Sequence, residues 1–164
     1  PGSSGKPCVD LAAGGAGGKP EDTSPNTPIT RGSYRPRNAG DSYSQQITLE
    51  EAFARSSNVA AVRLFEAVGS DKVIRTARDL GVSSPMTEGD PSLALGTSAM
   101  TLIELTAAYA GIAGNSYPVV PHAIARGERS WWEWLTSPTD SLPKRTHADL
   151  QELLRAAINR GPGR

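Results

Sequence analysis

The chain has 164 residues and balances 17 Lys plus Arg against 17 Asp plus Glu, a length that supports one domain with a core of its own. The balance lacks the basic excess of a nucleic-acid binder, and no apolar run approaches the ~20 residues of a membrane span. A single Cys8 permits no internal disulfide, and with His122 and His147 far apart in sequence it forms no metal-ligand pattern.

The chain starts on Pro1 rather than Met and carries no signal peptide, so we read it as a piece of a longer protein. Its opening, "PGSSGKPCVDLAA", predicts a helix through residue 13. Residues 14–47 are rich in Gly, Pro, Ser, Thr and Asn and predict a long irregular stretch, of the kind that borders a groove or wraps a surface. Helical punctuation begins at "TLEEAFARSS", where Thr48 and Glu51 stand in capping-box spacing. In "NVAAVRLFEAVG", Val59, Val62, Phe65 and Val68 recur at helical spacing before Gly69. "SDKVIRTARDLG" repeats the design from a Ser70 cap to Gly81. A second capping box pairs Thr101 with Glu104 ahead of an apolar, buried helix. "VVPHAIARGERSWWEWL" predicts a hairpin turning at Gly127, with Trp131, Trp132 and Trp134 covering the helices beneath it; a stacking platform for a ring is the other use of such a cluster. The last helix, "ADLQELLRAAINRG", places Leu150, Leu153, Leu154 and Ile158 on one face.

Two Gly-Lys pairs invite a phosphate-loop reading, and it fails. Ala13 stands where the motif before Lys19 needs Gly, and Pro20 and Pro7 follow the two lysines where Ser or Thr is required. A second reading takes Ser3 to Lys6 as S-x-x-K. Residues three apart share a helix face, so Ser3 and not Ser4 meets Lys6. A serine hydroxyl is a weak nucleophile until a base takes its proton, and a neutral Lys one turn along is such a base if its pKa is depressed. Capping of the first helix is the alternative role for either serine. Ser56-Ser57-Asn58 lies between two predicted helices, where serine and asparagine are ordinary caps. Read as S-x-N, it offers a second hydroxyl, Ser56, and an amide, Asn58.

With these two motifs in place, the chain resembles the transpeptidase domain of class A (bifunctional) penicillin-binding proteins. "PGSSGKP" resembles their P-G-S-x-x-K-P segment, "YRPRN" their aromatic-x-Pro-x-Asn segment, and "ITLEEAFARSSNVAAVRL" the stretch around S-x-N. "PSLALGTSAMTLIELTAAYAGIAG" and "AAINRGPGR" resemble two later segments, in family order.

The resemblance implies an α+β fold, of which residues 1–164 hold a partial domain running from S-x-x-K to just before the K-T-G strand. That portion is mostly helical and lacks most of the central antiparallel sheet. It further implies a D-Ala-D-Ala transpeptidase of peptidoglycan synthesis in the complete parent, with this piece inactive alone. Ser3 is the implied nucleophile, Lys6 its base, Ser56 the proton relay and Asn58 the substrate-binding amide. Stem peptides and β-lactams are the implied partners, with no cofactor, no metal and no nucleic acid. The implied location is extracytoplasmic, with any membrane contact made by other parts of the parent. Departures bear on activity: no Lys-Thr-Gly appears, Gly5 removes packing under the nucleophile, Ala99 replaces the usual Glu, and Pro162 the usual Thr. A cleft open where the K-T-G strand belongs leaves Lys6 more exposed, and its pKa less depressed, than in a complete enzyme in this expectation. Two other readings stand beside it, a β-lactamase or D,D-carboxypeptidase-like hydrolase that uses water as acceptor, and a non-catalytic domain with a scaffolding or sensing role.

Overall fold

The structure is a computed structural model and describes residues 2–122, 132 and 139–161. Six α-helices and one pair of strands occur among them. The first helix, α1 (Lys6–Gly15), is the centre of the molecule. It follows a 3-10 turn over Gly2–Gly5, and Pro7 sits in its first turn, where a missing N–H costs nothing. Both sides of α1 are buried. Val9 and Ala12 enter a core with Val59, Val62 and Phe65, whereas Leu11 enters another with Leu80, Ile112, Leu150 and Leu153. Small residues permit this double burial, since a Cβ on Gly14 would meet the Thr146 methyl at 3.1 Å.

The stretch expected to be irregular contains two strands. β1 (Thr23–Asn26) and β2 (Ser44–Thr48) pair antiparallel, Thr23 facing Thr48 and Ser24 facing Ile47, with an irregularity at Pro25 and Asn26. Pro25 is tolerated because it lies where the ladder breaks, and only Asn26 of β1 is fully buried. The strand pair leads directly into α2 (Leu49–Ala54), capped by Thr48 Oγ1, which accepts from Glu51 N at 3.2 Å. Glu51 turns its carboxylate to Arg55 and Arg160.

Residues 55–57 join α2 to α3 (Asn58–Val68). The following helix, α4 (Ser70–Asp79), is capped by Gly69 at φ +95° rather than by Ser70, which is its first residue. A five-residue 3-10 helix, Pro91–Leu95, ends on Gly96 and packs its Leu93 and Ala94 into the α3 core. In α5 (Leu102–Gly114) the capping box is complete, with Thr101 Oγ1 accepting from Glu104 N at 3.2 Å and Thr101 N donating to Glu104 Oε2 at 2.9 Å. Hydroxyls of Ser84 and Ser83 and the backbone at Thr101 and Ser83 hold the Glu104 carboxyl below the usual range.

The last helix is α6 (Lys144–Arg160). Leu150 and Leu153 are buried on α1, but Ile158 is 77% exposed and does not share their environment. The expected hairpin over residues 119–135 lies largely outside the described residues, as do Trp131 and Trp134; Trp132 is 60% exposed. Among the described residues no helix is long and apolar enough to cross a membrane.

Candidate active site

The site forms where the start of α1 meets the turn between α2 and α3. Lys6 is the first residue of α1, so the packing that buries that helix also buries its side chain, which is 3% exposed. Elements of this chain thus bury Lys6 by themselves. Phe53, Leu49, Ala52 and Ala60 wall in its stem from α2 and α3. Its ammonium reaches three oxygens across a sequence gap of fifty residues: Ser56 O at 2.7 Å, Ser56 Oγ at 2.9 Å and Asn58 Oδ1 at 2.9 Å.

Ser56 can present two oxygens to one amine because of its backbone. It adopts φ +55°, a left-handed conformation that non-glycine residues rarely hold. Ser57 then caps α3, its Oγ accepting from Ala60 N at 3.1 Å, and Asn58 opens the helix. The capping role expected of this junction belongs to Ser57, which leaves Ser56 and Asn58 facing Lys6.

Ser3 lies on the exposed 3-10 turn that leads into α1. Its Oγ is 2.6 Å from Ser56 Oγ. Ser56 touches the amine directly, and Ser3 reaches it through Ser56. The order is Ser3, Ser56, Lys6. Ser3, Lys6 and Ser56 open onto a groove of about 430 Å³ whose far wall is apolar, formed by Phe53, Tyr109 and Ile158 among others.

Burial lowers the Lys6 pKa from 10.5 to about 8, with the Asp10 charge one turn along α1 pulling it back up. Asp10 is itself pushed up to about 7 by burial, against the pull of Lys6. Cys8 does not compete as a nucleophile, since burial and the Asp10 charge push its thiol up to about 11.

Gly5 does not leave a hole under Ser3. A Cβ there would meet Gly96 Cα at 3.0 Å, so the 3-10 turn carrying Ser3 lies directly against the backbone at Gly96. Gly5 allows that approach, and Gly96 ends its own 3-10 helix at φ +72°.

Sequence reasoning did not find Asn26 and Asn38, which are 4% and 7% exposed and hydrogen-bond around Ser57 and Asn58. The one signal available was the position of Asn38 at the end of "YRPRN". Among the described residues no cluster of three or more His, Cys, Asp or Glu could hold a metal ion.

Comparison with known proteins places this geometry in context. The model of the penicillin-binding protein transpeptidase domain matches residues 1–164. Penicillin-binding protein 2D of Bacillus subtilis is 36% identical over 94 residues, which is 57% of this chain and 14% of that protein. Penicillin-binding protein 1A from Haemophilus influenzae superposes with a TM-score of 0.67 at 25% identity, covering 74% of this chain and 19% of the other. The fold alone is also similar to penicillin-binding protein A of Mycobacterium tuberculosis, solved as an imipenem acyl-enzyme, with a TM-score of 0.72 at 23% identity over 97% of this chain and 43% of that one. The chain thus spans a small part of the length of the curated relatives it matches.

Proposed function

Because the chain belongs to the penicillin-binding transpeptidases, in their class A branch, and is the mostly helical part of that α+β domain, we propose that Ser3 is the acyl-accepting nucleophile of a D-Ala-D-Ala transpeptidase, with Lys6 and Ser56 as its proton path. The observation that carries this is the hydrogen-bonded order Ser3, Ser56, Lys6, at 2.6 and 2.9 Å. Proton transfer needs this reach, and nothing in local capping requires segments so far apart in sequence to meet.

Protonated, Lys6 has three donors and faces three acceptors, Ser56 O, Ser56 Oγ and Asn58 Oδ1. In the neutral amine, two N–H groups stay on Ser56 O and Asn58 Oδ1, and the lone pair faces Ser56 Oγ. The hydroxyls then reverse, so that Ser3 donates to Ser56 and Ser56 to Lys6. As Ser3 Oγ bonds to the penultimate D-Ala carbonyl carbon, its proton passes to Ser56 and the Ser56 proton to Lys6. Collapse of the tetrahedral adduct breaks the C–N bond, and the departing D-Ala amine takes a proton from Ser56, which recovers one from Lys6. The ester on Ser3 is then attacked by an amine of a second stem peptide, and Ser3 recovers its proton. A β-lactam carbonyl enters the same first step, and its opened ring keeps the leaving nitrogen tethered.

Asn58 is the amide we assign to the donor peptide. Its Oδ1 accepts from Lys6 and its Nδ2 donates to Arg37 O at 2.7 Å, which leaves the second N–H of the amide for the peptide. Stem peptides and β-lactams are the proposed ligands, and the proposed location is extracytoplasmic, in the periplasm or at the outer face of the cytoplasmic membrane. The domain reading, from S-x-x-K to just before a K-T-G strand, is part of the same proposal.

The test is covalent labelling of the full-length protein with a fluorescent penicillin. Wild type and Ser4→Ala label, and Ser3→Ala does not. Labelling of Ser3→Ala, or its loss in Ser4→Ala alone, contradicts the assignment. Transfer of the acyl group to an added D-amino acid, in preference to water, separates a transpeptidase from a hydrolase.

A further inference from the structure

We infer that Asn38 is a positioning residue for this site: its buried amide caps α3 from the loop between β1 and β2 and aims Asn58 and Ser56 at Lys6. The inference rests on the reading of Ser3, Ser56 and Lys6 as the reacting group.

Asn38 uses both ends of its side chain. Its Oδ1 accepts from Asn58 N at 2.9 Å and Val59 N at 3.1 Å, with Ser57 Oγ 3.2 Å away. Its Nδ2 donates to Ser42 O at 2.8 Å and Asn26 Oδ1 at 2.9 Å. Both donor protons and the acceptor oxygen are thus committed, in a residue only 7% exposed.

The first N–H groups of a helix have no partner within it. In α3, Ser57 serves Ala60 N, and Asn38, twenty residues away, serves Asn58 and Val59. The preceding residue adds a second grip, because Arg37 O accepts from Asn58 Nδ2 at 2.7 Å. Residues 37 and 38 therefore hold Asn58 by backbone and side chain together. With its Nδ2 held there, the amide plane turns Oδ1 towards Lys6 Nζ, at 2.9 Å. Ser56 needs the same support, since a left-handed non-glycine residue persists only where its surroundings fix it. On the other side, Asn26 Oδ1 accepts from Ser57 Oγ at 2.8 Å, so β1 and the Asn38 loop converge on the same turn.

A cap that only stabilised α3 would move the melting temperature and nothing else. A positioning residue also moves the chemistry, because the acceptors that arrange the Lys6 amine shift with it. The experiment measures Ser3 acylation by a fluorescent penicillin in the full-length protein, per titratable site and across pH, for wild type, Asn38→Ala and Asn38→Asp. Asn38→Ala is expected to slow acylation by about 10- to 100-fold per site, the scale of a misplacement near 1 Å, and to displace the pH midpoint. Asn38→Asp keeps an oxygen for Asn58 N and Val59 N but sets its second oxygen against Ser42 O and Asn26 Oδ1, so it is expected to recover only part of the rate lost in Asn38→Ala. An Asn38→Ala protein that acylates at the wild-type rate per site with the wild-type midpoint overturns the inference, whatever its melting temperature. If Asn38→Ala does not fold, Asn38→Asp decides, since it too disturbs the network: a folded variant that acylates several-fold more slowly with a displaced midpoint supports the positioning role, and one with the wild-type rate and midpoint refutes it. Failure of wild type to label at Ser3 removes the reading of the reacting group itself, an outcome distinct from a labelled wild type with an unaffected Asn38→Ala.

Discussion

The two segments that meet at Lys6 are held by different forces. α1 is held by packing, with Val9 and Ala12 in one core and Leu11 in another. The Ser56–Asn58 turn is held by hydrogen bonds from Asn26, Arg37 and Asn38 and by a left-handed residue at its tip. Packing is non-directional and tolerates small shifts, whereas an amide network fixes orientation. The helix supplies a dry place for the base, and the turn supplies the angles at which its partners face it. Damage to α1 should therefore appear as lost stability, and damage to the turn as lost rate.

The sharpest way to break this division is to cut into α1 away from the chemistry. Leu11→Ala is expected to cost about 3 kcal/mol, as for other leucines truncated in cores, while the acylation rate per folded molecule stays unchanged. Denaturant melts and active-site titration read the two quantities separately. A rate that fell with stability intact would show that α1 also sets the angles.

At the turn, two substitutions of one residue separate backbone from hydroxyl. Ser56→Ala and Ser56→Gly both remove the relay and should slow acylation by about 100-fold or more. Ser56→Gly should nevertheless be the more stable by about 1 kcal/mol, because glycine accepts φ +55° without a Cβ penalty. Equal stabilities would mean that Ser56 leaves the left-handed conformation in solution.

Gly5 lies between the two regimes. Gly5→Ala places a Cβ 3.0 Å from Gly96 Cα, a contact between backbones that no rotamer relieves. It should cost about 1–3 kcal/mol and slow Ser3 as well, since the turn that carries the nucleophile must move. A silent Gly5→Ala would show that the 3-10 turn yields freely.

What could be read in the sequence follows the same line. The Thr101–Glu104 box and the apolar spacing of α3 are local, and the structure has them as expected, whereas Ser3 falls on a 3-10 turn before α1 and meets Lys6 only through Ser56. β1 and β2 were missed because Thr23–Asn26 contains Pro25, buries only one residue fully and has a partner twenty residues away. Periodicity cannot signal a strand so short and so polar. The depth at which Lys6 is buried is not legible in the sequence, because the residues that line the pocket beside it, Phe53, Leu49 and Ala60, come from α2 and α3, far along the chain. Asn38 was invisible for a different reason, since an asparagine in a Gly- and Pro-rich loop reads as turn chemistry until its partners on α3 are known. Ile158 fits the apolar spacing of α6, but spacing alone does not say whether every turn of a helix has a neighbour.

The central claim is that Lys6, buried and linked to Ser3 through Ser56, acts as a neutral amine. Burial holds its folded pKa at about 8, so the active fraction is small below that pH and rises through it. The direct measurement is the rate constant for acylation of Ser3 by a penicillin in the full-length protein, from about pH 6 to about pH 10, a span that brackets the shifted and ordinary lysine values. The account predicts a rise of about tenfold per pH unit at the acid end, levelling with a midpoint near 8. A flat profile, or one still rising at the ordinary lysine value near 10.5, would contradict it.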